Sequence, residues 1–104
     1  MKYKVVLTST AARDLDEIFA YIAEVLCEKE IAVNMINLLQ KNILSLDEMP
    51  GRCKLYENEP WKSCGMHMMR VKNYLVFYTI DEESKTVNII RVLYGSRDLD
   101  AALE

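Results

Sequence analysis

The stretch at residues 70–98, RVKNYLVFYTIDEESKTVNIIRVLYGSRD, constrains the fold more than any other part of the chain. Its first run, residues 74–80, is almost wholly aromatic, β-branched or aliphatic, and its second, residues 86–94, has only Asn88 and Arg91 as strongly polar members. Apolar runs of this length without strict alternation form strands covered on both faces, or nearly so. Asp81, Glu82, Glu83, Ser84 and Lys85 lie between them, a polar turn long enough to close an antiparallel hairpin. A third run spans residues 66–72, and Lys72-Asn73 is short enough to turn it tightly into Tyr74, with Asn73 able to take positive φ. Three strands in a meander are expected.

The rest of the chain supplies what covers such a sheet. Residues 3–7 form a short β run with a lysine on either side of Tyr3, the pattern of an edge strand, and end at Thr8, Ser9 and Thr10, any of which can cap a following helix. From Ala11 to about Cys27, Leu15, Ile18, Ile22, Val25 and Leu26 recur at helical spacing, with Asp14, Asp16 and Glu17 near the end where the helix dipole favours negative charge. After Glu28, Lys29 and Glu30 a second helix carries Ala32, Met35, Leu39, Ile43 and Leu46, and Pro50 and Gly51 stop it at Met49. Residues 52–63 are irregular, with a short edge strand at 54–56 and a loop containing Trp61, which is either a partner anchor or a core residue. The tail beyond Asp98 has enough Leu and Ala for a turn or two of helix.

The order implies an α+β domain spanning residues 1–104. A two-helix hairpin lies on one face of an antiparallel sheet of about four strands, with a short C-terminal helix. The opposite sheet face is then the one a partner or substrate can reach.

Composition narrows the function classes. The net charge of -3 argues against non-specific nucleic-acid binding, although residues 52–72 hold five basic side chains against two acidic ones, which leaves room for one basic face. No apolar run approaches the roughly 20 residues of a membrane helix, and the start MKYKVVLTST is too short in apolar residues for a signal peptide, so no membrane association is expected and a cytoplasmic location is. Cys27, Cys53 and Cys64 have no metal-type or redox-type spacing, and with His67 they lack a further ligand, so neither metal nor cofactor is expected.

In sequence the chain resembles the RelE/ParE superfamily of bacterial toxins. Four stretches carry the resemblance: YKVVLTSTAARDLDEIFAYIAE, ILSLDEMPGR, VKNYLVFYTIDEESKTVNIIRVLYG and the closing GSRD. The resemblance implies the toxin half of a type II toxin-antitoxin module, neutralised by a cognate antitoxin that wraps an extended or helical segment around it. RelE-like members cut mRNA in the ribosomal A site; ParE-like members act on DNA gyrase.

Metal-free RNA cleavage needs a base, cationic groups on the phosphate and an acid. Arg70 and Lys72 share strand parity and match the basic strand positions of RelE-like nucleases approximately, Arg97 of GSRD matches a further basic position, and Tyr94 stands where related nucleases often carry a proton-transfer residue. His67, the only histidine, has a suitable unperturbed pKa, but among Met66, Met68 and Met69 it reads first as a partly buried strand residue. RelE-like nucleases also place an arginine after the aromatic that opens the central strand, as in YRLVY, where this chain has Leu75. The tail at 99–104 has no tyrosine or histidine either. The balance tips toward ParE-like gyrase inhibition, with a RelE-like mRNA endonuclease or a non-toxic binding module of the same fold as alternatives. Arg91, inside an apolar strand, needs an acidic partner or an accessible edge.

Overall fold

The computed structural model describes residues 2–95. Strand β1 (Lys4–Leu7) leads into helix α1 (Ser9–Ala20), a π-helical turn (Tyr21–Val25) and helix α2 (Lys29–Leu44). Two 3-10 turns (Ser45–Asp47 and Pro50–Arg52) follow, and then β2 (His67–Val71), β3 (Tyr74–Asp81) and β4 (Thr86–Tyr94). The sheet order is β1-β4-β3-β2. The meander is antiparallel, as expected, but β1 runs parallel to β4, so the sheet is mixed. No hairpin ties β1 to its neighbour: the two helices carry the chain away from it, which leaves its direction to packing. The expected C-terminal helix lies outside the described residues.

Thr8 caps α1, its Oγ1 accepting from the Ala11 N–H at 3.2 Å. The helix expected to run to about Cys27 instead widens at Tyr21, where the Leu26 N–H bonds back to the Tyr21 carbonyl over five residues. Cys27, at φ 57°, then turns the chain, with the Glu28 N–H reaching the Ile22 carbonyl as in a Schellman stop. Helix α2 ends at Leu44 and tightens into 3-10 geometry before Met49, which sits at φ 49° ahead of Pro50. Arg52 donates to the carbonyls of Ser45 and Glu48 just past the helix end, and the Ser45 carbonyl also accepts the Glu48 N–H.

One sheet face meets the helices. Ala11, Leu15, Leu39, Ile43 and Leu46 pack on Met69, Val71, Tyr74, Val76, Tyr78, Val87, Ile89 and Val92. The opposite face is closed over its centre. Met66, Leu75, Phe77 and Leu93 are buried there, with Tyr56, Trp61, Met68 and Ile90 packed against them. The segment preceding β2 makes this cover. Leu55 bridges His67, the Tyr56 N–H bonds to the Met66 carbonyl, and the Tyr56 ring meets Phe77 edge-on at 5.4 Å. The expected strand at 54–56 is thus a single bridge. Burial on both faces accounts for the unbroken apolar run Tyr74–Tyr78, each large side chain contributing about 1.5–3 kcal/mol. It also corrects the expectation of a reachable face, because the part over Leu75 and Phe77 is occupied by the protein itself.

A register shift at Phe77 and Tyr78 leaves Ile90 as an extra residue in β4, since Phe77 pairs with Arg91 and Tyr78 with Ile89. The bulge changes the parity of β4, so that Ile89 and Val92 both reach the helix-side core while Leu93 faces the other.

Candidate functional site

Among the described residues a groove lies between the end of α1, the π-helical turn and the last residues of β4. It encloses about 610 Å³, lined chiefly by Ile18, Tyr21, Leu26, Tyr74, Val92 and Tyr94, with Asp14 and Glu17 at its side. The wider π-helical turn brings Tyr21, Ile22 and Leu26 to one border. Tyr74 and Tyr94, opposite each other on β3 and β4, meet edge to face at 5.6 Å. Burial raises the Tyr74 phenol above its ordinary pKa, and neighbouring Tyr94 and Tyr21 add to the shift.

Beneath the groove, Asp14 holds two functions at once. Its carboxylate accepts from Arg91 Nε at 2.7 Å and from Nη2 at 3.0 Å, and it also accepts the Val92 backbone N–H at 3.0 Å. The pair with Asp14 raises the Arg91 pKa first of all, and the charge of Glu17 adds to it. This satisfies the requirement for an acidic partner to Arg91. Asp14 does more than complement the helix dipole, and the spacing Ala11, Asp14, Leu15, Ile18, which puts it on the buried stripe, is the sequence signal for this role.

The strand edge at this site is unfinished. β1 pairs with β4 only as far as Leu7 opposite Ile89, and Thr8 closes on the Ile89 carbonyl. The Gly95 N–H bonds to the Asn73 carbonyl at 2.9 Å, which makes Tyr94 opposite Tyr74 a non-hydrogen-bonded pair in the β3 ladder. The backbone N–H and C=O of Tyr94, and by the same alternation those of Val92, are therefore directed to the side that β1 has left. Asp14 takes the Val92 N–H; among the described residues the Tyr94 groups have no backbone partner.

The sequence-derived site residues do not assemble in one place. Arg70 is exposed and pairs with Leu75, which puts it on the face covered by the 53–66 segment. Tyr94 lines the groove on the helix side with Tyr74. Lys72 is not in the strand: β2 ends at Val71, and Lys72, not Asn73, takes positive φ, at 56°. Lys72 therefore does not share a strand face with Arg70, because the strand ends one residue too early. Arg97 lies outside the described residues. His67 stacks on Tyr78 at 5.2 Å, with Nδ1 2.8 Å from the Cys53 carbonyl, so its Nδ1–H is donated to the backbone. This is the half-buried strand histidine that its methionine neighbours suggested.

Among the described residues no group of three His, Cys, Asp or Glu side chains is placed to hold a metal ion, and no helix is long and apolar enough to cross a membrane.

Residues 5–99 match the family described as the ParE toxin of type II toxin-antitoxin system, parDE. The chain belongs to this family. It is the toxin component of such a module. The ParE fold is likewise found in solved structures. The chromosomal ParDE toxin-antitoxin system of P. aeruginosa superposes with a TM-score of 0.73 at 19% identity, covering 89% of this chain and 96% of that one. The RelBE2 complex of Mycobacterium tuberculosis gives 0.64 at 27% identity, covering 90% and 99%. A mutant of E. coli RelE in the free state gives 0.67 at 14% identity, covering 98% and 93%. No curated protein matches the chain significantly by sequence.

Proposed function

We propose that this ParE-family toxin inhibits DNA gyrase through a protein-protein contact and that a cognate antitoxin neutralises it. The observation that carries the choice of target is Leu75. RelE-like nucleases typically carry an arginine for the phosphate at this position, and here the side chain is a leucine, 2% exposed, inside a core roofed by Tyr56, Trp61 and Met66. A phosphate cannot reach that point without removal of the roof. The separation of Arg70 and Tyr94 onto opposite faces supports the same reading, because general acid-base chemistry needs its groups within hydrogen-bond reach of one reacting centre. A binding surface has no such requirement, and Tyr94 then serves as a contact residue.

Induction of the gene in bacteria, with and without the open reading frame beside it, tests this reading. We expect growth arrest without the neighbour, a DNA-damage response, and no new mRNA 5' ends within codons. Ribosome-dependent cuts lost in Arg70→Ala would instead establish the nuclease.

A further inference from the structure

We propose that the outer edge of β1 is a self-association site, at which a second copy of this chain adds its own β1 antiparallel about a two-fold axis through Val6. The pairing joins the two sheets edge to edge. It shares no residue with the groove beside β4 and does not depend on the choice of target.

The first support is the backbone. The Lys4 N–H bonds to the Lys85 carbonyl at 2.8 Å and the Thr8 N–H to the Ile89 carbonyl at 3.2 Å, so Lys4, Val6 and Thr8 are the residues turned toward β4. By alternation, Tyr3, Val5 and Leu7 direct their N–H and C=O groups outward. The Asp47 carbonyl takes the Tyr3 N–H at 2.8 Å, whereas among the described residues the outward groups of Val5 and Leu7 have no hydrogen-bond partner. A strand edge in that state is a template for one more strand, and this one carries neither a proline nor a bulge to deter it.

The second support is register. Asp47 occupies the edge at Tyr3, which leaves Val5 and Leu7 as the open positions. Two copies use both only when Val5 of each faces Leu7 of the other as a hydrogen-bonded pair, with Val6 meeting Val6 between them. Centring the axis on Val5 sets Leu7 against Tyr3, which is already engaged, and centring it on Leu7 sets Val5 against Ser9, where α1 begins. The Val6-centred register also matches aliphatic side chains on both faces, the contacts that stabilise paired strands. Leu7 is 41% exposed and has apolar area to lose there.

The third support is charge. Lysines normally guard a free edge against self-pairing. Here the Lys2 ammonium lies 3.7 Å from Asp47 and 3.8 Å from Glu48 of its own chain, which offsets its charge. The Val6-centred register sets Lys4 opposite Thr8, well away from its symmetry mate. One segment is thus complementary to itself, as a two-fold interface requires. The opposite sheet edge, β2, is a poorer partner for β1, because Leu55 already bridges His67 and the Lys54 carbonyl takes the Met68 N–H.

Val6→Cys tests the axis directly, in a full chain whose exposed Cys27 and Cys64 are replaced by serine. Facing residues of a non-hydrogen-bonded pair lie about 4.5 Å apart at Cα, within disulfide range. Mild oxidation should give a covalent dimer, and Lys4→Cys in the same background should give none. With the native sequence, sedimentation should show a dimer forming between micromolar and millimolar concentration, and the Val5 and Leu7 amides should exchange at least tenfold more slowly as it forms. Leu7→Pro removes an outward N–H that the β4 ladder does not use and should abolish the dimer with the circular dichroism unchanged. Leu7→Lys, at an exposed side chain, should weaken the dimer at least tenfold and serves where the proline variant fails to fold. A chain that stays monomeric throughout, or a dimer that persists in the folded Leu7 variants without cross-linking at Val6→Cys, would overturn the proposal. So would Val5 and Leu7 amides slow at every concentration, which would mean that the chain covers its own edge, or slow only with the product of the adjacent open reading frame, which would assign the edge to that partner.

Discussion

Asp14 and Arg91, 77 positions apart, close a two-point fork in which the same carboxylate also accepts the Val92 backbone N–H. One side chain on α1 thereby neutralises a guanidinium left by the bulge in β4 and finishes a strand edge that β1 does not reach. Asp14 is almost fully buried and Arg91 mostly so. Removing either partner leaves the other charge in a poorly solvated place, at about 3–5 kcal/mol. We expect Asp14→Ala and Arg91→Ala each to lower the denaturation midpoint accordingly, and the double variant to cost clearly less than the two together. Additive losses would mean the pair is not coupled.

Stability should fall in alkali, with a definite sign. Tyr78 is fully buried and donates to the Pro50 carbonyl. Burial first, and then the neighbouring Cys53 thiol, push its phenol well above the ordinary value. Because the folded pKa is raised, the contribution is complete below the unfolded tyrosine value of about 10 and is lost as pH climbs from there toward the folded one. Tyr74 shifts in the same direction. Phenolate absorbance should show these groups ionising late, together with unfolding, and Tyr78→Phe should flatten the alkaline limb. Early ionisation of all six tyrosines without unfolding would contradict the burial.

Leu75 gives a packing prediction that also bears on function. Leu75→Met should cost less than about 1.5 kcal/mol, because volume is nearly conserved. Leu75→Ala should cost about 2–5 kcal/mol. Leu75→Arg, which restores the RelE-like pattern on paper, should largely unfold the domain, since the roof of Tyr56, Trp61 and Met66 offers the charge no partner. A stable Leu75→Arg variant that cleaves ribosome-bound mRNA would show that the roof opens.

Cys27 turns the helical hairpin at φ 57° with its side chain exposed. A residue with a Cβ is strained there by about 1–2 kcal/mol and glycine is not, although glycine gives back part of that gain as chain entropy. Chemical denaturation should therefore find Cys27→Gly more stable by up to about 1 kcal/mol and Cys27→Val less stable.

Most of the sheet was legible because its strands are long and apolar: β4 begins and ends where the pattern placed it, and β3 differs by one residue. The helices were legible through their buried stripes, but their ends were not. The π-helical turn and the αL conformation of Cys27 depend on backbone geometry that no residue type there announces. Lys72 fits the sequence both as the last residue of the strand and as the first of the turn with Asn73; the structure takes the second, which moves it out of the strand and away from Arg70. The cover of the second sheet face was hidden because only Tyr56, Trp61 and Met66 among largely polar neighbours form it. The groove was hidden because it joins Tyr21 to Tyr94 and depends on β1 ending at Leu7, a relation between distant elements.

Supercoiling of relaxed plasmid by purified gyrase reads the proposed target directly. With the purified chain added in molar excess, supercoiling should be blocked, and it should recover when the product of the adjacent open reading frame is mixed in first. Undiminished supercoiling alongside cleavage of mRNA on purified ribosomes would contradict the account.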